Sequence, residues 1–285
     1  MARHPEVIAS PSQTREAVRT WLQALRDEAR PLCRTAVIVA HPDDEVVGLG
    51  AQLPRLTNGI FIEVTDGGPR DGRDASAQGF RSVAEYAATR RGELQRALSA
   101  AGLANARLLE LACPDQEAAY RLVSLTLGLR DVLREERPEL VVTHPYEGGH
   151  PDHDAAAFAV HAACALLAQA APAVIEASSY HNSPIGIETG CFIPADGIEA
   201  VTIELTPEQR ELKQRLMNCF TTQRSTLQYF SVDVECFRPA PRYDFTNPPH
   251  PGQLFYESFD WGVSGKRFRE LASAALQELG LEGHL

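Results

Sequence analysis

Two apolar runs of this chain each end in a cluster of histidine and acidic residues. The run at residues 37–40 is followed by HPDDE at residues 41–45, and the run at residues 140–142 is soon followed by HPYEGGHPDH at residues 144–153. Short β-branched runs predict buried strands, and the carboxyl ends of parallel strands meet at one edge of a sheet. We therefore expect the clusters to hold a divalent metal ion with a free carboxylate beside it, the arrangement of metal-assisted hydrolysis.

Strands and helices alternate along most of the chain. The predicted strands span residues 35–40, 60–64, 107–111, 140–143, 173–179 and, as an edge strand, 199–204. The predicted helices span residues 12–30, 44–53, 82–101, 117–136, 154–170, 207–230 and 266–279. This alternation predicts a Rossmann-like α/β fold of three layers, with a mostly parallel sheet and the metal site at the carboxyl ends of its strands.

We expect residues 1–285 to form a single domain, with an irregular, aromatic-rich tail at about 231–285 on which the terminal helix packs. The aromatic side chains of the tail either line a substrate cleft or pack onto the core. A glycine-rich, charged loop at residues 67–79 is either a rim or lid that lets Arg70 and Arg73 touch an anionic substrate, or a solvated loop without a role.

The spacing within the first cluster suggests which residues bind the metal and which one acts as a general base. His41 and Asp44 are three residues apart, so both side chains can face one point above the strand end if Pro42 begins the next helix. Asp43 and Asp44 point in different directions on a tight turn, so we expect one of them to be a ligand and the other a general base. His153, at the start of a later helix, is the natural third ligand.

Two more side chains of the second cluster have expected roles. His150 can lie beside the metal without binding it and, as an imidazolium, stabilise the charge on a carbonyl oxygen under attack. Asp152 is placed to accept a hydrogen bond from a histidine ring and so orient it. Simple helix capping is the alternative for Asp43 or Asp44, but two such motifs at strand-to-helix junctions are hard to explain as caps.

The two motifs resemble the paired signatures of the zinc-dependent LmbE/PIG-L deacetylases. That family includes the GlcNAc-phosphatidylinositol de-N-acetylase, the deacetylases of mycothiol and bacillithiol biosynthesis, and deacylases of antibiotic pathways. The resemblance extends from about Thr35 to about Tyr229. It also includes Thr65-Asp66-Gly67, the pair Arg90 and Glu93, Pro114-Asp115, and a late helix from Lys213 to Gln223.

This resemblance implies that His41, Asp44 and His153 bind the metal. It further implies that Asp43 is the base and that His150 steadies the oxyanion. The metal expected from the family is Zn²⁺, although two histidines and one carboxylate also suit Fe²⁺ or another divalent ion.

The same resemblance implies that Arg90 and Asp115 face the substrate. One departure concerns a tyrosine that several sugar deacetylases of the family carry shortly before the second motif. Here Gly148 and Gly149 stand directly before His150, and the nearest tyrosine is Tyr146, whose role is left open. The two glycines would let the backbone approach a substrate closely.

These features lead to the hypothesis of a zinc-dependent N-deacetylase, which is a hydrolase of linear amide bonds. We expect it to remove an acyl group, in particular acetyl, from an amino sugar or amino-sugar conjugate such as an N-acetylglucosamine derivative. Two alternatives stay open. One is an amidase that uses the same metal centre on a non-sugar amide or thiol conjugate. The other is a non-catalytic ligand-binding module of the same fold, which would have no need of the base Asp43.

Composition narrows the class of partner. The net charge of −11, without a cluster of lysine and arginine, disfavours nucleic acid. The apolar runs are shorter than the ~20 residues of a membrane span, and the amino terminus has no apolar segment typical of a signal peptide. We therefore expect a cytoplasmic protein with a small-molecule substrate, and a homo-oligomer is compatible with the sequence.

Two other chemistries are disfavoured. A nucleotide-binding Rossmann module would place G-x-G-x-x-G after the first strand, but HPDDE stands there, and its carboxylates would repel a pyrophosphate. The six cysteines include no C-x-x-C pair, so we expect reduced thiols, and nothing supports a catalytic cysteine.

Overall fold

The computed structural model describes residues 11–26 and 33–281. The expected end of the first helix at 27–30 and the expected absence of a signal peptide concern residues outside these ranges. The strands are β1 Thr35–Val39, β2 Ile60–Thr65, β3 Arg107–Cys113, β4 Leu140–Thr143, β5 Ala173–Ala177, β6 Tyr180–Ser183, β7 Gly186–Thr189, β8 Val201–Glu204 and β9 Val234–Pro239. The α-helices are α1 Pro11–Arg26, α2 Asp44–Leu49, α3 Arg73–Ala77, α4 Val83–Ala100, α5 Leu122–Glu136, α6 Pro151–Leu167, α7 Pro207–Met217, α8 Arg224–Leu227 and α9 Gly265–Leu279.

Seven strands form one mostly parallel sheet in the order β3-β2-β1-β4-β5-β9-β8. Neighbours among β1 to β5 pair in parallel, whereas β9 is antiparallel to both β5 and β8. The predicted α/β fold is confirmed, and β8 lies at the edge as expected. A separate hairpin joins β6 to β7.

The strand order reverses between β1 and β4. After β1 the chain builds β2 and β3 on one side, and then returns to place β4 on the other side, with Val37 opposite Val142. At such a switch point the loops after the two strands diverge and leave a crevice at their carboxyl ends. Both His/Asp clusters follow these two strands, so the topology brings them to one crevice.

Helices cover both faces of the sheet. Side chains alternate between the faces of a strand, and in β1 Ile38 packs into a core shared with α5, α6 and α9, whereas Val37 and Val39 pack into a core shared with α1, α2, α4 and α7. Central strands buried on both faces read as continuous apolar runs, which is why their prediction succeeded. Within the described ranges, the helices are too short or too polar to cross a bilayer.

The helix expected at residues 207–230 is interrupted. Helix α7 ends at Met217, a 3₁₀ turn spans Thr221–Gln223, and α8 follows. The carboxylate of Glu93 accepts hydrogen bonds from Thr221 Oγ1 at 2.6 Å and from the backbone N–H of Thr222 at 3.1 Å. These hydrogen bonds from the turn to a side chain of α4 stabilise the break in the helix. Local periodicity does not show such a long-range contact.

The tail is more regular than predicted, because β9 is a full strand between β5 and β8. Its sequence, VECFRP, contains the buried charges Glu235 and Arg238, which obscure an apolar pattern. Arg238 pairs across the sheet with Glu176 of β5 at 2.7 Å. The hairpin β6–β7 was also not predicted, since its strands are short and polar.

A buried ion pair ties α7 to β9 and to the end of α2. Lys213 Nζ lies 3.1 Å from Glu235 Oε1, and both side chains are buried. Glu235 also accepts hydrogen bonds from Ala51 N–H at 2.8 Å and from Gln52 Nε2 at 3.2 Å. This network holds the segment just beyond the first His/Asp cluster.

We predict that Lys213→Met lowers the free energy of unfolding by about 3–5 kcal/mol, because it leaves the buried charge of Glu235 without its partner. Urea unfolding monitored by circular dichroism measures the change. The matched control is Lys266→Ala: Lys266 is 83% exposed and its Nζ lies 4.0 Å from Glu270, so it should change the value by no more than about 0.5 kcal/mol. Equal losses in the two variants would contradict a structural role for the pair.

Candidate active site

The turn after β1 holds Asp43 in a strained conformation. Its φ is 150° and its ψ is −25°, and it precedes α2, which begins at Asp44. Pro42 therefore lies before the helix and does not begin it as expected. A residue with a side chain in this region costs about 1–3 kcal/mol, and such strain is concentrated at functional sites. The strain directs Asp43 and Asp44 to different surroundings.

His41 lies among three carboxylates. Its Nδ1 is 3.2 Å from Asp44 Oδ2, and its Nε2 is 3.3 Å from both Asp115 Oδ1 and Asp152 Oδ2. The backbone N–H of His41 also donates to Asp44 Oδ2 at 2.8 Å. The Asp152 contact is the one expected of an acceptor that orients a histidine ring.

The second motif forms the start of α6, close to the first motif. His150 is the N-cap, and its Nδ1 accepts a hydrogen bond from the N–H of Asp152 at 3.1 Å. His153 lies in the first turn of α6, with its Nε2 3.2 Å from Asp44 Oδ1. The structure thus brings the three predicted ligands together, with one ligand atom each from His41, Asp44 and His153 within 4.8 Å of one another.

A second possible ligand set overlaps the first and consists of His41, Asp115, His150 and Asp152. In the three residues that belong to this set alone, hydrogen bonds or ion pairs already involve most of the atoms that could bind a metal. Asp152 accepts from Gln116 N–H at 2.6 Å and from Ala118 N–H at 3.0 Å, Asp115 pairs with Arg90, and His150 Nδ1 is used at the helix cap. The set of His41, Asp44 and His153 fits a metal better, because Asp44 Oδ1 and His153 Nε2 face each other.

The charges of the site fit a cation. Asp43, Asp44, Glu45, Asp115 and Asp152 are all buried there, and buried charge is costly unless it is compensated. Burial alone would lower the pKa of His41, but the carboxylates around it raise that pKa well above its usual value. Without metal this ring carries a proton. A divalent ion held by two imidazoles and a carboxylate would supply the positive charge instead, a donor set that suits Zn²⁺ or Fe²⁺.

The two other titrating ligands favour the forms that bind a metal. Burial lowers the pKa of His153 to about 4, which leaves the ring neutral at pH 7. Burial opposes ionisation of Asp44, but His153 and His144 hold its pKa well below its usual value. A neutral imidazole and an ionised carboxylate are the ligating forms.

Asp43 is held by Arg90. Arg90 Nη2 lies 3.0 Å from Asp43 Oδ2, and Nη1 lies 3.3 Å from Asp115 Oδ2 and donates to Gly67 O at 2.8 Å. Burial raises the pKa of Asp43 to about 7 although Arg90 opposes it, a value suited to a general base near neutral pH. Arg90 itself is buried. That Arg90 and Asp115 face a substrate stays a prediction.

The charge expected on His150 does not fit its surroundings. Burial and the neighbouring His41 lower the pKa of His150 well below its usual value. Because Nδ1 accepts from the helix N–H, the proton of the neutral ring is on Nε2. The expected imidazolium is therefore replaced by a neutral N–H donor, since desolvation outweighs the acidic neighbourhood.

His144 also lies in the site, although the sequence analysis assigned it no role. Its ring stacks on that of His153, with centroids 4.0 Å apart, and its Nε2 accepts from Ala40 N–H at 3.0 Å. The same Nε2 is 3.3 Å from Asp44 Oδ2. Its position directly after β4, inside the second motif, was the signal that could have found it.

Some aromatic side chains of the tail lie at the site, and others pack into the core, so each of the two expectations holds for part of the tail. Trp261 lies at the site, with its ring centroid 4.5 Å from that of His150, and stacks on the half-exposed Phe259 at 4.5 Å. Phe255 continues from Phe259 to Tyr180, which contacts His153. We call Tyr180, Phe255, Phe259 and Trp261 the aromatic wall. In contrast, Phe245 and Tyr256 are buried in the core.

Tyr146 and the glycines of the second motif serve packing. Tyr146 is buried against Phe245 and Phe268, and its hydroxyl donates to Asn247 O at 2.9 Å, so it does not take the place of the tyrosine found in several sugar deacetylases. A Cβ on Gly149 would lie 2.1 Å from Tyr180 O. The close approach that this glycine permits is therefore to the start of the hairpin β6–β7, and not to a substrate as expected.

The loop at residues 67–79 contains α3 and contacts the tail segment next to Trp261. Arg70 pairs with Asp66, and Arg73 pairs with Asp71 at 3.2 Å and with Asp260, next to Trp261, at 3.4 Å. Both arginines expected to meet an anionic substrate therefore already contact carboxylates. These pairs are exposed, and each contributes at most about 1 kcal/mol.

Comparison with known proteins finds similarity in the region that contains both His/Asp clusters. Residues 36–164 match the PIG-L family, described as GlcNAc-PI de-N-acetylase. Over 144 residues the chain is 31% identical to the diacetylchitobiose deacetylase of Thermococcus kodakarensis, which covers 48% of this chain and 49% of that protein. The chain thus spans about half the length of this curated relative.

Solved structures share the fold. The deacetylase of the teicoplanin biosynthesis pathway, in its bog complex, superposes with a TM-score of 0.57 at 20% identity, over 74% of this chain and 99% of that one. The N,N'-diacetylchitobiose deacetylase from Pyrococcus horikoshii gives a TM-score of 0.54 at 21% identity, over 83% and 95%. At these identities the likeness concerns the fold alone.

We predict that His41→Ala, Asp44→Ala and His153→Ala each reduce the number of tightly bound divalent ions per chain by one, because each removes a ligand of the same centre. Elemental analysis after dialysis measures the number. Asp43→Asn is the control, since Asp43 pairs with Arg90 and should leave the count unchanged. Unchanged metal content in the three ligand variants would show that the ion binds elsewhere.

Proposed function

We propose that this chain, whose residues 36–164 match the PIG-L family, is a metal-dependent hydrolase that removes an acetyl group from an amino sugar or amino-sugar conjugate. The observation that carries the proposal is the convergence of His41, Asp44 and His153 at one point, with Asp43 beside them but bound to Arg90. A ligand set and a separate carboxylate are the two parts that amide hydrolysis needs.

A divalent ion bound by the three ligands would polarise the amide carbonyl and activate the attacking water. Asp43 accepts a proton from that water while Arg90 fixes the position of its carboxylate. The water oxygen bonds to the carbonyl carbon, and the C–N bond then breaks. The protonated Asp43 returns its proton to the departing nitrogen, so the products are an acetate and a free amine.

His150 stabilises the charge that develops on the carbonyl oxygen. Its Nδ1 is fixed by the helix N–H, which leaves Nε2–H free to donate. A preorganised neutral donor of this kind acts without carrying a charge itself. The amino end of α6, where His150 is the cap, adds a positive partial charge to the same region.

The aromatic wall suggests which substrates fit. Trp261 and Phe259 present stacked rings next to His150, and sites that take small molecules combine such apolar surfaces with a few polar groups. A sugar ring offers an apolar face for this surface and hydroxyls for the polar rim. The similarity to the diacetylchitobiose deacetylase of Thermococcus kodakarensis supports an N-acetylated sugar as the substrate.

Two further parts of the proposal concern the identity of the metal ion and the cellular compartment of the protein. We propose Zn²⁺ as the ion, supported by two imidazoles and one carboxylate at the site. We propose a cytoplasmic location on the basis of cysteines that are all free. The partner is a small molecule, and the net charge of −11 is unfavourable for nucleic acid.

The proposal is tested by release of primary amine from N-acetylglucosamine, diacetylchitobiose and N-acetylated amino acids by the metal-loaded protein. We expect the sugars to be cleaved. Asp43→Asn should lower kcat by about 10²–10⁴ through loss of the base, and His150→Ala by about 10²–10³ through loss of one oxyanion donor, with the metal retained in both. Lys266→Ala, an exposed change, is the control and should keep full activity.

Cleavage of the amino-acid amides alone would favour the amidase alternative. Near wild-type kcat in Asp43→Asn would remove the proposed base. Failure of the loaded protein to release any amine would favour the non-catalytic alternative.

A further inference from the structure

Three side chains of types that can bind a metal meet outside the candidate active site, at the base of the hairpin β6–β7. His181 and Glu188 are directly opposite in the register of the hairpin, so their side chains lie on the same face. His181 Nε2 is 3.4 Å from Glu188 Oε2, and Cys191 Sγ is 4.0 Å from the same oxygen. One ligand atom from each residue lies within 4.8 Å of the other two.

A second observation concerns atoms that lack a hydrogen bond. Among the described residues, His181 Nδ1 and Glu147 Oε2 are buried and neither makes a well-aligned hydrogen bond, although they lie 3.4 Å apart. Both side chains are more than nine-tenths buried. The other carboxylate oxygen of Glu147 accepts from Ile193 N–H at 2.8 Å, which leaves Oε2 facing the histidine.

This arrangement is the one that surrounds a metal-bound histidine. A ligating imidazole typically donates its second N–H to a carboxylate, which fixes the tautomer and the orientation of the ring. Glu147 is placed to be that carboxylate for Nδ1 of His181, which leaves Nε2 for the ion.

We propose that His181 Nε2, Glu188 and Cys191 form a second site for a divalent cation of the zinc type, separate from the candidate active site. Two ligand atoms that bind zinc at about 2.0–2.1 Å in a tetrahedron lie roughly 3.3–3.4 Å apart, which matches the 3.4 Å between His181 and Glu188. A thiolate together with an imidazole selects borderline and soft ions over Mg²⁺ or Ca²⁺. Glu188 is 39% exposed, so an ion can enter from solvent.

The site would act as a structural clip. It would join the two strands of the hairpin to the segment that follows them, and Glu147 would connect the clip to the second motif. The hairpin begins at Tyr180, a member of the aromatic wall that contacts His153. The clip would therefore fix one side of the candidate active site without taking part in its chemistry. The inference rests on His181 and Glu188 of the hairpin together with Cys191 and Glu147, and it is independent of the proposed function.

Cobalt substitution tests the proposal, because the ligand set of His41, Asp44 and His153 contains no sulfur. We expect Co²⁺-loaded wild-type protein to show a thiolate-to-cobalt charge-transfer band in the near ultraviolet. Cys191→Ser should lose this band and one equivalent of bound cobalt. Asp44→Ala should keep the band while it loses the other equivalent, so failure of the active-site assignment is distinguishable.

The control is Cys219→Ser, a partly exposed cysteine whose Sγ contacts Arg215 O, far along the chain from the hairpin. It should keep the band at full intensity. Absence of the band in cobalt-saturated wild-type protein would overturn the proposal, and so would a band that persists in Cys191→Ser. His181→Ala provides a second check, because it should weaken cobalt binding at this site at least tenfold while the cysteine is still present.

Discussion

The candidate active site depends on β1 and β4 being neighbours in the sheet although the chain builds two other strands between them. Their adjacency places the turn of Asp43 and Asp44 against the start of α6, so that Asp44 Oδ1 and His153 Nε2 come within 3.2 Å. A parallel sheet creates such a crevice wherever its strand order reverses. The fold thus supplies the location, and the side chains at two strand ends supply the chemistry.

Electrostatics then determines what each carboxylate can do. Asp44 faces three imidazoles, Asp43 faces Arg90, and Asp152 accepts from two backbone amides. Three acids that lie close together therefore have different surroundings, although Asp44 and Asp152 both contact His41. Burial raises the pKa of Asp43 to about 7, whereas the histidines keep Asp44 ionised. This difference is the physical basis for assigning one of them as a base and the other as a ligand.

The sequence predicted the parts of the structure in which chemistry and periodicity coincide. The apolar runs of the central strands indicated a parallel sheet, and the His/Asp clusters directly after two of them indicated the site. It failed where distant contacts decide the structure. The charges of β9 concealed a strand because their partners, Lys213 and Glu176, lie far away in the chain. The ion pair between Arg90 and Asp43 likewise depends on a contact between distant parts of the chain, and so does the neutral form of His150, which results from burial and from the nearby His41.

The central claim is that a metal ion binds to His41, Asp44 and His153 and not to the overlapping set of His41, Asp115, His150 and Asp152. Anomalous X-ray scattering at the zinc absorption edge, from crystals of the zinc-loaded protein, locates the ion directly. The account predicts a peak within about 2.0–2.2 Å of ligand atoms of Asp44 and His153, with Asp43 outside the coordination sphere. A peak coordinated by Asp115 and His150 instead would contradict it.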